Sequence, residues 1–257
     1  MMNDVLFVGA GPGDPELITV KGQKAVERAD VIIYAGSLVP RDVLTRAKPG
    51  SVKIDSAPLN LEEIIDHIRH AREENKRVVR LHTGDPSLYG AIYEQMAELS
   101  KLSIPFSVIP GITAAFAAAA SMGIEYTLPE ITQTLILTRM AGRTPVPELE
   151  NLKSLAAHQA SMAIYLSISL VDEVASVLAG SYGEDAVCAV VYKVSRPEEK
   201  VIYTSAGELA QTVRKAEIKS QALIIVSKVL NTSFDTIKYK SRLYDKDFSH
   251  GFRKRER

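Results

Sequence analysis

The sequence predicts an α/β protein of two domains, the first on a mostly parallel sheet and the second on a mixed one. Three observations carry that expectation. Short apolar, β-branched runs alternate with helix-period segments through the first half of the chain. Three strand-to-helix turns there each carry both glycine and proline. Beyond about Pro129 the number of strands per helix rises, and two strands flank the turn pair Arg196-Pro197, as in a hairpin.

Taken in order, Val5 to Val8 reads as a strand ended by Gly9, and Thr19 to Ala29 as a helix. Val31 to Tyr34 is β-branched and aromatic, hence a buried strand. Val52 to Ile54 is a weaker strand. Asn60 with Glu63 forms a capping box that opens a helix to about Asn75. Val78 to Leu81 is a strand, Leu88 to Leu102 a helix, Ile104 to Ile109 a strand and Gly111 to Met122 an Ala-rich helix. In the second half, Gln133 to Thr138, Met162 to Leu166, Val187 to Tyr192, Lys200 to Tyr203 and Leu223 to Val226 read as strands. Leu170 to Leu178 is a helix, Gly142 to Pro147 a loop, and Ser205 with Glu208 a second capping box before a helix to about Lys215. The expected domains are residues 1–112, 113–235 and a basic, solvated tail over 236–257.

The composition narrows the function classes. The chain has 257 residues, 46% hydrophobic and 24% charged, enough apolar surface to bury a large core. Lys and Arg number 31 and so do Asp and Glu, so no net charge recommends a nucleic-acid partner. The one cysteine, Cys188, sits in an apolar run and reads as a small buried hydrophobe, which leaves neither an internal disulfide nor a Cys-rich metal site. Met1-Met2-Asn3-Asp4 lacks the basic start of a secretory signal, and no apolar run is long enough to cross a bilayer. A cytoplasmic protein with no membrane partner is expected.

Chemistry concentrates in the turns. Gly9-Ala10-Gly11-Pro12-Gly13-Asp14-Pro15 follows the first strand but fails the dinucleotide fingerprint, which needs glycine where Asp14 stands. No ribose-binding acid follows the second strand, where Ala35-Gly36-Ser37 lies. A nicotinamide oxidoreductase is therefore the weaker reading. Thr83-Gly84-Asp85-Pro86 and Pro110-Gly111-Ile112-Thr113 follow two more strands. Glycines let backbone approach closely and prolines hold one shape, so three such loops on one sheet edge describe a small-molecule crevice. Asp85 either meets a ligand or caps a helix beginning near Ser87, and Thr113 either meets a ligand or caps its own helix.

These motifs together resemble the tetrapyrrole methyltransferases of corrin and sirohaem synthesis. The family pattern V-G-A-G-P-G-D-P-x-L-x-T-x-K-G runs here from Val8 to Gly22, followed by R-L-x-x-G-D-P at Arg80 to Pro86 and P-G-I-T at Pro110 to Thr113. The likeness covers about Val5 to Val229. It is narrower toward the precorrin-4 C11-methyltransferases through Tyr34 to Pro40, Leu81 to Ile92, Thr138-Arg139 and Gly142 to Pro145. The sirohaem branch carries an Asp where this chain has Ala35, and a Lys that has no match within Lys53 to Asn60, which counts against uroporphyrinogen methylation.

The resemblance implies an S-adenosylmethionine-dependent C-methylation of a corrin precursor in cobalamin synthesis, at C11 of precorrin-4 with or without cobalt. The product from the donor is S-adenosylhomocysteine. Methylation elsewhere on the macrocycle, or a non-catalytic tetrapyrrole carrier, are the alternatives. Carried over residue by residue, Pro12, Thr83, Gly84, Asp85, Leu88, Thr113, Ala114, Leu166 and Ala189 line the donor site, which then lies between the two domains. Arg80, His82, Arg139, Arg143, Lys193 and Arg196 are candidates for the substrate's carboxylates, each with a surface-charge alternative. No metal and no general base is identified, and a homodimer is implied.

Overall fold

The computed structural model describes residues 4–36, 38–39, 41–232, 241, 244 and 247–253. Ser37 and Pro40 of the second-strand motif, and most of the expected basic tail, lie outside them. The described residues group into two compact units. One holds those within 1–118 together with Val194–Pro197, and the other those within 119–193 and from 198 onward.

The first unit is built on β1 (Val5–Gly9), β2 (Val31–Tyr34), β3 (Val52–Asp55), β4 (Val78–His82) and β5 (Phe106–Ile109). All neighbours are parallel, in the order β3-β2-β4-β1-β5. Parallel sheets are buried on both faces, and the residue alternation follows. Val8, Ile32, Val79, Leu81 and Ile109 pack with Val26 of α1 (Val20–Arg28) and Val43 and Leu44 of α2 (Arg41–Thr45). Val5, Phe7, Val31, Ile33 and Val78 pack on the other face with Ile64, Ile65 and Ile68 of α3 (Leu61–Glu73) and Leu99 of α4 (Ile92–Lys101). Each such side chain contributes about 1.5–3 kcal/mol on burial.

This arrangement locates a crevice. The helix after β1 lies on one face and the helix after β4 on the other, although β1 and β4 are neighbours. That reversal is a topological switch point, where ligands bind at the carboxyl ends of the strands.

The second unit carries β6 (Leu135–Arg139), β7 (Ser161–Tyr165), β8 (Val187–Tyr192), β9 (Lys200–Ser205) and β10 (Ala222–Val226), in the order β6-β7-β10-β8-β9. Only β6 and β7 run parallel; the other pairs are antiparallel. Its core joins Met162, Ile164, Val190 and Ile224 to Leu178 of α7 (Val171–Tyr182), Leu209 of α8 (Leu209–Lys215) and Leu152 of α6 (Leu152–Ala156). The Ala-rich α5 (Ala114–Met122) follows the last loop of the first unit. Cys188 is buried in β8, and burial pushes its thiol up to about 12, so it stays protonated and inert.

Asn60 and Glu63 form the expected reciprocal box at the start of α3. Two expectations need correction. The helix expected from Leu88 begins only at Ile92, because Tyr89 and Ala91 take left-handed backbone (φ 56° and 48°) on either side of Gly90. The box expected at Ser205 and Glu208 is half made. Ser205 Oγ accepts from Glu208 N–H at 3.3 Å, but Glu208 itself occupies the cap of α8 and makes no side-chain capping bond. The short helices α2 and α6 were not expected; each is five residues, too brief to show a 3.6-residue period.

Candidate active site

The three Gly-Pro loops follow β1, β4 and β5, three adjacent strands, and pack against one another through backbone. Gly11 and Gly84 exchange hydrogen bonds, Gly84 N–H to Gly11 O at 2.8 Å and Gly11 N–H to Gly84 O at 3.3 Å. Ala10 N–H donates to His82 O at 2.7 Å. A β-carbon on Gly9 would stand 2.6 Å from both Gly84 O and Gly111 Cα. These glycines therefore serve loop-to-loop contact, where the sequence suggested close approach to a ligand. Gly84 differs. Its backbone is left-handed (φ 61°), yet the nearest atom to a β-carbon there is 3.8 Å away. A β-carbon there would make only ordinary van der Waals contact, with Thr113 Cα at 3.8 Å and Ile112 O at 3.9 Å.

Asp85 locks this assembly. Its Oδ2 accepts from Gly111 N–H at 2.8 Å, and its Oδ1 accepts from Ser87 N–H at 2.8 Å and Ser87 Oγ at 2.5 Å. Burial works to raise its carboxyl, but the hydrogen bonds from Ser87 and Gly111 outweigh it and hold the group below the usual carboxylate range. The bond to Ser87 closes a turn; no helix starts there. Thr19 adds a further tie: its Oγ1 caps α1 through Gly22 N–H at 3.1 Å and donates to Pro110 O at 3.5 Å.

The other expected donor residues fall as follows. Pro12 is buried and Thr83 half-buried, in the loops after β1 and β4. Leu88 is half-buried, its N–H donating to Asp85 O at 3.2 Å. Thr113 immediately precedes α5, and its carbonyl accepts from Phe116 and Ala117; Ala114 is the helix's first residue. In the second unit, Leu166 follows β7 with left-handed backbone (φ 53°) and a side chain 68% exposed. Such backbone in a non-glycine residue costs about 1–3 kcal/mol and persists where its surroundings enforce it. Here Ser167, fully buried, accepts from Met140 N–H at 2.8 Å and donates to Tyr165 O at 2.7 Å, fixing the chain on either side. Ala189 is fully buried in β8.

The basic candidates separate. Arg80 and His82 point from β4 into the α3–α4 face. Arg80 Nε donates to Gln95 Oε1 at 3.0 Å and its Nη1 to Ile33 O at 3.3 Å. Burial draws its guanidinium down to about 10. His82 stacks on Phe7, and burial and then Arg80 push its imidazole down to about 3, so it is neutral near pH 7. These two are core groups in place of surface carboxylate receptors. Arg139 holds the carbonyls of Met140, Thr144 and Pro145, shaping the loop after β6. Lys193 pairs with Glu198 at 2.9 Å, and Arg196 donates to Leu38 O at 2.5 Å. Arg143 is exposed on the loop after β6.

The sequence reading missed Ser195, whose Oγ accepts from Asp14 N–H at 2.9 Å across 181 positions, and Asp55, whose Oδ1 accepts from Gly36 N–H at 2.9 Å. No local pattern points to either. The pairing of Asp55 could have been sought from the parallel register that sets Tyr34 beside it. Among the described residues no cluster of three His, Cys, Asp or Glu could hold a metal ion, and no helix is long and apolar enough to cross a membrane.

Residues 4–210 match the family model of the Tetrapyrrole (Corrin/Porphyrin) Methylases. The chain belongs to that family. This methylase is 53% identical, over 251 residues, to the cobalt-precorrin-4 C(11)-methyltransferase of Methanocaldococcus jannaschii, a match that covers 97% of this chain and 96% of the relative. Among solved structures it is similar to a cobalamin biosynthetic enzyme, cobalt precorrin-4 methyltransferase, with TM-score 0.87 and 43% identity over 89% of this chain and 96% of that one. It is also similar to the uroporphyrin-III C-methyl transferase of Thermus thermophilus in complex with S-adenosylhomocysteine (TM-score 0.71, 28% identity, 88% and 93% covered).

Proposed function

We propose that this methylase transfers a methyl group from S-adenosylmethionine to C11 of cobalt-precorrin-4 in cobalamin synthesis. The observation that carries the reading is the 53% identity, across nearly all of both chains, to an enzyme of that name. The donor suits the site: backbone donors and acceptors of three loops crowd the switch point at the carboxyl ends of β1, β4 and β5. A metal or a covalent nucleophile is not needed to activate a methyl group already carried on a sulfonium.

In this reading Pro12, Thr83, Gly84, Leu88, Thr113 and Ala114 form the donor face of the first unit. Asp85 acts one step back, holding the loops after β4 and β5 together. Positioning supplies much of the rate, because a donor and an electron-rich ring carbon held in line react as a single molecule would. One C–S bond breaks, one C–C bond forms, and the macrocycle releases a proton. Arg143, exposed and basic, is proposed to meet a substrate carboxylate. A cytoplasmic homodimer is proposed with it.

Labelled donor incubated with precorrin-4, with and without cobalt, tests the assignment. A methyl signal at C11 in the product's NMR spectrum, faster with the cobalt form, is expected. Label at another ring position, or donor binding with no transfer to either form, would overturn it. Sedimentation equilibrium at twice the chain mass is expected for the dimer, and cell fractionation checks the compartment.

A further inference from the structure

The turn between β8 and β9 does more than reverse the chain. The register that pairs Tyr192 with Lys200 leaves residues 193–199 to close the hairpin, more than the roughly two to five such loops usually take. Lys193 and Ser195 are left-handed (φ 44° and 59°), with Val194 buried between them and the Lys193–Glu198 ion pair bracing the turn. This backbone places Ser195 Oγ to accept from Asp14 N–H at 2.9 Å, and Arg196 Nη2 to donate to Leu38 O at 2.5 Å. A β-carbon on Gly13 would stand 2.5 Å from Arg196 Cγ and 2.8 Å from Val194 O. Gly13 therefore admits the turn, and the turn grips two loops of the first sheet's carboxyl edge, those after β1 and β2.

We propose that Val194–Pro197 is a positioning clamp on the donor loop, with Ser195 and Arg196 holding Gly11–Asp14 in the shape that receives S-adenosylmethionine. The clamp rests on the donor reading above. It accounts for two strained residues flanking a buried valine in a turn that a shorter loop could have closed.

Calorimetry with S-adenosylhomocysteine and steady-state kinetics test it. Ser195→Ala is expected to raise the Kd roughly 3- to 10-fold, the effect of one ordinary hydrogen bond. The KM for donor rises in step, while kcat at saturating donor and the KM for the tetrapyrrole hold. Ser195→Asn, which tolerates left-handed backbone and keeps a short side-chain oxygen to accept from Asp14 N–H, restores much of the binding. Gly13→Ala and Arg196→Ala each weaken binding, and the double variant weakens it by less than the product of the two, because they act on one contact. If Ser195→Ala folds poorly, the Asn variant and the Gly13–Arg196 pair decide the matter. Unchanged affinity in Ser195→Ala and Arg196→Ala, or a fall in kcat with donor KM fixed, overturns the clamp alone. Failure of the wild type to bind overturns the donor reading, and the clamp with it.

Discussion

The two units build the turns at their sheet edges from different materials. In the first, three loops meet backbone to backbone, with Gly9, Gly84 and Gly111 in mutual contact and one carboxylate, Asp85, bridging two of them. In the second, the turns are held by side chains: Ser167 on either side of the strained Leu166, and Arg139 across the loop after β6. A backbone-built edge tolerates almost no substitution at its contact points and reads out in sequence as fixed Gly, Pro and Asp. An edge built by side chains has many solutions and leaves a fainter trace.

The strongest way to break this contrast is Gly111→Ala. A β-carbon there would collide with Gly84 O and Gly9 Cα, atoms that cannot rotate away. A loss of about 3 kcal/mol is expected, at the upper end for forced overpacking, read from urea unfolding. Gly84→Ala makes only ordinary van der Waals contact but keeps an unfavourable φ, so about 1–2 kcal/mol is expected. Equal losses at the two positions would dissolve the distinction between the crowded and the uncrowded glycine.

Asp85→Asn sharpens the comparison on the polar side. About 1 kcal/mol of stability is expected to go, discounted for the half-exposed setting. The pH dependence has a definite sign. The folded carboxyl titrates below its ordinary value, so its contribution is complete above the usual carboxylate range and fades as the pH falls through the folded value. The wild-type minus Asn difference in unfolding free energy is expected to shrink as the pH falls below about 4; a difference constant with pH would remove Asp85 as a charged lock.

Smaller effects belong to the second unit. Leu166→Gly is expected to leave stability within about 1 kcal/mol, since relief of the left-handed backbone offsets the greater freedom of the unfolded chain. Arg143→Ala is expected to raise the tetrapyrrole KM by about 2- to 5-fold, the size of one exposed charge contact, with donor KM unmoved.

The contrast also explains what the sequence made legible. Val31 to Tyr34 and Val187 to Tyr192 match their strands residue for residue, because runs rich in β-branched residues and ended by an aromatic one have few alternatives. The capping box at Asn60 was visible because both partners lie within one turn. The loops after β1, β4 and β5 were visible as motifs, but their strand order was not, and it is the order that brings them side by side. The burial of Arg80 and His82 was not legible. Strand alternation puts both on the face of Val78, and without the positions of α3 and α4 a charged residue on a strand reads as surface. Ser195 was invisible because its partner is 181 residues away.

The claim on which the account rests is that the fused loops of the first unit form the donor-binding surface. Calorimetric titration of S-adenosylhomocysteine into the wild type and Gly111→Ala, each shown to be folded, tests it most directly. Saturable one-to-one binding by the wild type and a loss of at least about 100-fold in the variant, equivalent to about 2.7 kcal/mol, are expected. Equal affinities in the two proteins, or no binding by folded wild type, would contradict it.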